Sequence, residues 1–219
     1  AVFSDGHHFG RARGWQISGV RGRTEDDVIA HTHDAATWAT WLMPAGRHKE
    51  FSNNNISNIT GRSKIAHIVR TGTEPLAGTV DPDAWIGNNR ISNVVGYCPS
   101  DPARYGAVVT LDDRRDNATK PNGEMIVSGV RAQVSADYLA DPATTGVQVV
   151  STYGHGANTA KRNWDKAVYS DIQATTLTGV GASVHASISG VKSLVWGTSN
   201  LTTGVMATPP SLASVIVSR

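Results

Sequence analysis

Cysteine is almost missing from this sequence. Its 219 residues hold one, Cys98, which excludes an intrachain disulfide framework and a cysteine-rich zinc site. Aromatic residues make up 6% and charged residues 17%, and the charged share is low for a soluble protein. Long apolar runs are absent. None approaches the ~18 residues of a membrane-spanning helix, and Leu-rich helical stretches do not occur. An excess of either charge is also absent: 20 basic residues stand against 18 acidic ones, mixed along the chain. That balance excludes a basic tract of the kind that grips nucleic acid, and it suits a neutral or moderately acidic polymer as partner. No basic stretch followed by an apolar one opens the chain, so no signal peptide is expected. Ala1 runs almost directly into patterned sequence, and the chain is expected to be a cut or processed part of something longer.

What is present is Gly (22 residues), Ser, Thr and Asn, a composition that favours many short strands and turns over a helical bundle. A pattern of apolar, Ser, Gly/Asn/Asp, apolar recurs. It reads Ile17-Ser18-Gly19-Val20, Ile56-Ser57-Asn58-Ile59, Ile91-Ser92-Asn93-Val94, Val127-Ser128-Gly129-Val130, Tyr169-Ser170-Asp171-Ile172 and Ile188-Ser189-Gly190-Val191, at offsets of 39, 35, 36, 42 and 19 residues. The context repeats as well. Asn53-Asn54-Asn55 and Asn88-Asn89 precede two copies, and Gly22, Gly61 and Gly96 follow three at the same distance. A second apolar strand comes next: Val28-Ile29-Ala30, Ile65-Ala66-His67-Ile68 and Ala107-Val108-Val109.

Repeating short strands turned by Gly and Asn predict the coils of a β-solenoid, in which stacked coils bury a face that none could bury alone. The repeat exceeds a minimal coil, so some turns are expected to expand into loops: 34–51, 72–86, 99–105, 112–123 and 153–164. A β-sandwich explains the short strands equally well, but not the long repeat. The last 50 residues are rich in Ser, Thr, Val and Gly. Residues 1–190 are therefore expected to be coils, and 191–219 a terminal β coil or an oligomerisation end.

Chemistry concentrates near the start. Asp5 lies in Ser4-Asp5-Gly6, and 21 residues later comes Glu25-Asp26-Asp27-Val28-Ile29-Ala30. Stacked coils bring such residues together, and glycoside hydrolysis needs one carboxyl to give a proton and one carboxylate to activate water or attack. Carboxylates held close push at least one pKa upward.

This pairing resembles the polygalacturonase-type glycoside hydrolases, which carry Asn-Thr-Asp-Gly on one coil and Gly-Asp-Asp-Cys-Ile-Ala on the next. Gly22-Arg23-Thr24-Glu25-Asp26-Asp27-Val28-Ile29-Ala30 is similar to a variant common in phage tailspike and tail-fibre β-helices. The resemblance is specific from Ser4 to Ala30 and architectural beyond that stretch. It implies an all-β fold, a right-handed single-stranded parallel β-helix of the pectin-lyase-like kind with expanded loops. It also implies an inverting hydrolase with Asp26 as general acid and with Asp5 and Asp27 positioning and deprotonating the water. The family's Gly-His-Gly histidine corresponds to His48, 22 residues past Asp26, although here the flanks read Arg47 and Lys49. The family's Arg-Ile-Lys has no clean match. Lys64, His67 and Arg70, on a strand beyond it, are expected to bind substrate, and these departures from the family count against galacturonate as the sugar.

His31 and His33, at i and i+2 on one face of a strand, and the loop residues Trp38 and Trp41 are expected to line a sugar cleft, with Trp85 and Trp164 extending it. Aromatic rings suit sugar faces. A metal site would need a third ligand beside the two histidines, and neither a metal nor another cofactor is expected. The expected function is a cell-surface polysaccharide depolymerase, extracellular or virion-borne. It would be homotrimeric like tailspikes, with no nucleic acid partner and no membrane span. Two alternatives stand beside it: a non-catalytic phage receptor-binding protein of the same fold, and a polysaccharide lyase with Lys64 or Arg70 as base.

Overall fold

A computed structural model describes residues 6–9, 13–34, 50–64, 66–74, 85–97, 107–113, 121–134, 147–154, 164–176, 184–188, 190–201 and 215–217. Its regular elements are β-strands, numbered in chain order, and every pairing between them is parallel. One sheet of eight strands holds β2 (Gln16–Ser18), β3 (Arg21–Thr24), β6 (Asn55–Ser63), β9 (Asn89–Tyr97), β11 (Asn122–Val134), β13 (Trp164–Thr176), β15 (Val191–Trp196) and β16 (Val215–Val217). A six-stranded sheet holds β1 (His7–Phe9), β4 (Ile29–Asp34), β7 (Val69–Glu74), β10 (Ala107–Asp113), β12 (Val147–Gly154) and β14 (Val184–Ile188). A third, two-stranded sheet pairs β5 (Glu50–Ser52) with β8 (Trp85–Gly87). The chain shuttles between the two large sheets, so neighbouring strands in each lie a repeat apart in sequence. No helix among the described residues is long and apolar enough to cross a membrane.

The register follows the sequence repeat. Ile17 pairs with Ile56, Ile56 with Ile91, Ile91 with Val127, and Val127 with Tyr169. The third position of the pattern is the reason. Gly19, Asn58, Asn93, Gly129 and Asp171 all have positive φ, between 53° and 73°. That left-handed conformation crowds a β-carbon against the following carbonyl, so Gly, Asn and Asp adopt it most readily. The residue bends the strand so that the apolar residues on both sides of it point inward. Ile56 and Ile59, Ile91 and Val94, Val127 and Val130, and Tyr169 and Ile172 are all fully buried. Each such side chain contributes roughly 1.5–3 kcal/mol of transfer free energy.

The sixth copy breaks this register. Tyr169 pairs with Trp196, while Ile188 ends β14 in the other sheet and the positive φ of Gly190 precedes β15. Apolar-Ser-Gly-apolar specifies a corner between two inward residues, and Ile188–Val191 is a different corner. The eight-stranded sheet continues through β15 and β16.

The predicted glycine column is real: Gly22 pairs with Gly61 and Gly61 with Gly96. Packing requires it at Gly61 and Gly96, though not at Gly22, where a β-carbon would meet nothing within 4 Å. A β-carbon at Gly61 would come within 2.7 Å of Val28, and one at Gly96 within 2.3 Å of Ile68. The Asn-rich turns build a buried amide ladder. The Oδ1 atoms of Asn54, Asn89 and Asn122 accept from the backbone N–H groups of Trp15 (2.9 Å), Asn54 (2.8 Å) and Ile86 (3.0 Å). Donors turned inward where strands bend thus keep partners.

Candidate functional site

Strand β3 runs straight into the acidic turn Glu25-Asp26-Asp27, and β4 begins at Ile29. Opposite it, the backbone N–H of Gly6 donates to the Asp27 carbonyl at 2.8 Å, and that of His7 to Val28 at 3.0 Å. His7 then pairs with Ile29. Gly6, the residue after Asp5, therefore meets Asp27 through the backbone. Asp5 itself lies outside the described residues.

One repeat further along the chain, Val69 pairs with Ile29 from the other side. This sets His67 against Asp27. The backbone N–H and the ring Nδ1 of His67 both lie 2.9 Å from Asp27 Oδ1. An ionised carboxylate only accepts, so Nδ1 carries the proton. The other ring nitrogen, Nε2, is buried and has no hydrogen-bond partner among the described residues. Arg70 extends the cluster, with its Nη1 3.9 Å from Asp27 Oδ2 and its Nη2 donating to Asp112 Oδ2 at 3.0 Å.

Asp27 and Asp112 are 1% and 0% exposed, His67 and Arg70 7% and 8%. Burial by itself would raise the Asp27 pKa. The adjacent His67, by charge and hydrogen bonds, and then Arg70 outweigh it, and the net shift is downward. Asp27 is thus held ionised at neutral pH. Asp26 is partly exposed, and its carbonyl accepts from Thr24 Oγ1 at 2.7 Å.

His31 does not line a cleft. It is fully buried, its ring packs on Phe51, and it lies between Thr71 Oγ1, 2.7 Å from Nδ1, and Asn54 Nδ2, 3.3 Å from Nε2. An amide can only donate to Nε2, so Nδ1–H donates to Thr71 and the ring is neutral. Burial, with His8 as a lesser cause, pushes its pKa well below the ordinary value. Its position explains the correction: Ile29 and His31 alternate onto the inward face of β4.

His33 pairs with Thr73 on the backbone, and its side chain lies outside the described residues, as do His48, Trp38 and Trp41. Lys64 is exposed and sits 3.5 Å from Glu25. Trp164 is fully buried in β13, so it extends no groove, and Trp85 is partly buried on β8. The interiors of the five predicted loops also fall outside the described residues.

Sequence reasoning missed Asp112, which reads as the polar end of the apolar run Ala107–Leu111. The register carries the chain from Ile29 as far as Val69 before the strands stack again, and this brings His67, expected among the substrate-binding residues, against Asp27. The second apolar strand was set slightly early, since β7 begins at Val69 and carries Arg70 and Thr71 among its buried residues. Among the described residues no group of three or more His, Cys, Asp or Glu is placed to hold a metal ion.

Comparison with protein families, curated proteins and solved structures gives no match for this chain.

Proposed function

We propose that the chain is a right-handed parallel β-helix that binds a cell-surface polysaccharide and cleaves it as an inverting glycoside hydrolase, working outside the cell or on a virion. The observation that carries the proposal is the 2.8 Å hydrogen bond from Gly6 N–H to the Asp27 carbonyl. It stacks Gly6, the residue after Asp5 in sequence, on Asp27, which supports the approach of two carboxyls that this hydrolysis needs. Asp26, partly exposed, is the general acid, and Asp5 is the partner that activates water. Asp27 is too buried to reach a sugar. Its part is to fix the tautomer and orientation of His67.

A second reading is favoured by one specific observation. Asp27 is 1% exposed and lies against His67 and Arg70, as a purely structural carboxylate would. The chain is then a non-catalytic receptor-binding protein of the same fold.

A reducing-end assay on a panel of capsular and plant polysaccharides decides between them. Under the hydrolase proposal the parent releases reducing ends, and Asp26→Asn lowers the rate by about 10²–10⁴-fold. Binding without release in either protein selects the receptor-binding reading. Reducing ends accompanied by the ultraviolet absorbance of an unsaturated uronate would instead identify a lyase.

A further inference from the structure

Charged side chains on the outer faces of these sheets mostly have a partner of opposite sign. Lys64 has Glu25, Lys166 has Glu124 at 3.2 Å, Arg131 has Asp171 at 2.7 Å and Lys192 has Asp165 at 3.8 Å. Arg13 has Glu50 at 4.0 Å. Arg90 breaks the rule singly on β9, and Arg21, Arg23 and Arg62 break it as a group. All three are exposed, and none forms an ion pair among the described residues. They also lie together. Arg21 and Arg23 alternate outward on β3 with the inward-turned Gly22 and Thr24, and Arg23 pairs directly with Arg62 on β6.

Parallel strands lie about 4.8 Å apart, and like charges opposite one another in a sheet are destabilising. The next residue in that row is Tyr97, and the Arg62 guanidinium sits 5.8 Å from its ring centroid. This cation–π contact holds Arg62 in place without neutralising it. The row therefore presents unneutralised guanidinium forks, whose planar geometry matches carboxylate and sulfate. It leads directly into Glu25-Asp26-Asp27.

We infer that the outer face of β3 and the C-terminal half of β6 binds an anionic polysaccharide, one bearing carboxylate or sulfate groups, through Arg21, Arg23 and Arg62. The inference names the substrate class of the site proposed above and rests on that reading for the polymer being a polysaccharide, but not for its cleavage. The anion restores charge balance to a strand pair that the folded chain leaves positive. Tyr97 acts as a positioning residue for Arg62.

The test is isothermal titration in the Asp26→Asn background, so that cleavage does not blur binding. Polygalacturonate and heparin serve as carboxylate and sulfate probes, and dextran as the neutral one. The protein is expected to bind at least one polyanion and not dextran, with affinity falling as salt rises. R23Q/R62Q is expected to weaken binding about tenfold or more. R90Q, an exposed arginine away from the row, is expected to leave it unchanged. Tyr97→Leu should weaken binding less than R62Q and not at all in the R62Q background, which a direct contact would not do. Preference for carboxylate or for sulfate tells which group is recognised. Equal loss in R90Q and R23Q/R62Q, binding to dextran alone, or tighter binding of duplex DNA than of either polysaccharide would overturn the inference. Arginine-dependent binding with no reducing ends in the parent leaves it standing and defeats only the hydrolase.

Discussion

The two large sheets solve the same packing problem with opposite chemistry. On β9, in the eight-stranded sheet, buried residues are interspersed with exposed or partly exposed ones, and most of the outward positions are polar. On β10, in the six-stranded sheet, all seven residues are buried, including Thr110, Asp112 and Asp113. A one-sided sheet shows its period in the sequence, whereas a sheet covered on both faces must place polar groups where partners exist. Charge separates the two most clearly. An Arg–Asp pair appears in each sheet, Arg131–Asp171 at 41% and 44% side-chain exposure, and Arg70–Asp112 at 10% and 0%. The same two side chains are a surface ornament in one sheet and an obligation in the other.

The comparison breaks most sharply at those pairs. Asp112→Ala is expected to destabilise the protein by about 3–5 kcal/mol, because it strips a buried guanidinium of its closest partner. Arg131→Ala should cost about 0–1 kcal/mol. Urea denaturation of both variants checks this, and similar losses would mean that the six-stranded sheet admits water to Arg70.

The pH dependence should also originate in the six-stranded sheet. His31 and Asp27 both have lowered pKa values in the folded state, so the unfolded chain binds the proton first as pH falls. Their stabilisation is complete above the unfolded values and is lost on acidification. Loss is expected to begin near pH ~6.5 with His31, at up to ~1.4 kcal/mol per pH unit for one proton, and to steepen below ~4 with Asp27. Denaturation midpoints from pH 8 to 5 should therefore fall in the parent and stay flatter in His31→Gln. A flat parent profile would mean that His31 is as free to charge folded as unfolded.

The smallest effect is at the corner of the eight-stranded sheet. Asn58 has φ 56°, so Asn58→Ala should lose about 1–2 kcal/mol and Asn58→Gly much less. Equal losses would assign the role of Asn58 to its amide, which bonds Ser18 Oγ at 3.0 Å, and not to its backbone.

Much of the eight-stranded sheet was legible in the sequence. Five copies of the four-residue pattern pair in the register that their spacing predicts. Each copy joins two inward apolar residues to a left-handed one, and few residue types satisfy both demands. The sixth copy misled because the same local demands arise at any similar corner. In the candidate site, the sequence spacing came within one residue of the register that stacks Gly6 on Asp27. The His67–Asp27–Arg70–Asp112 cluster was not legible, because it depends on pairings 40 and 42 residues apart in sequence, and no local pattern announces a buried charge.

The sequence by itself determined that the chain is built of short strands with inward apolar faces, where its left-handed corners lie, and which residues stack across five repeats. These are local consequences of side-chain shape and backbone sterics. Only the tertiary structure decided which histidine meets Asp27, that His31 is an interior residue, and that Arg23 and Arg62 stand side by side without a counter-charge. Those outcomes depend on how many residues each repeat spends between its sheets, and loop length moves a charge from one neighbour to another without altering the pattern of the strands.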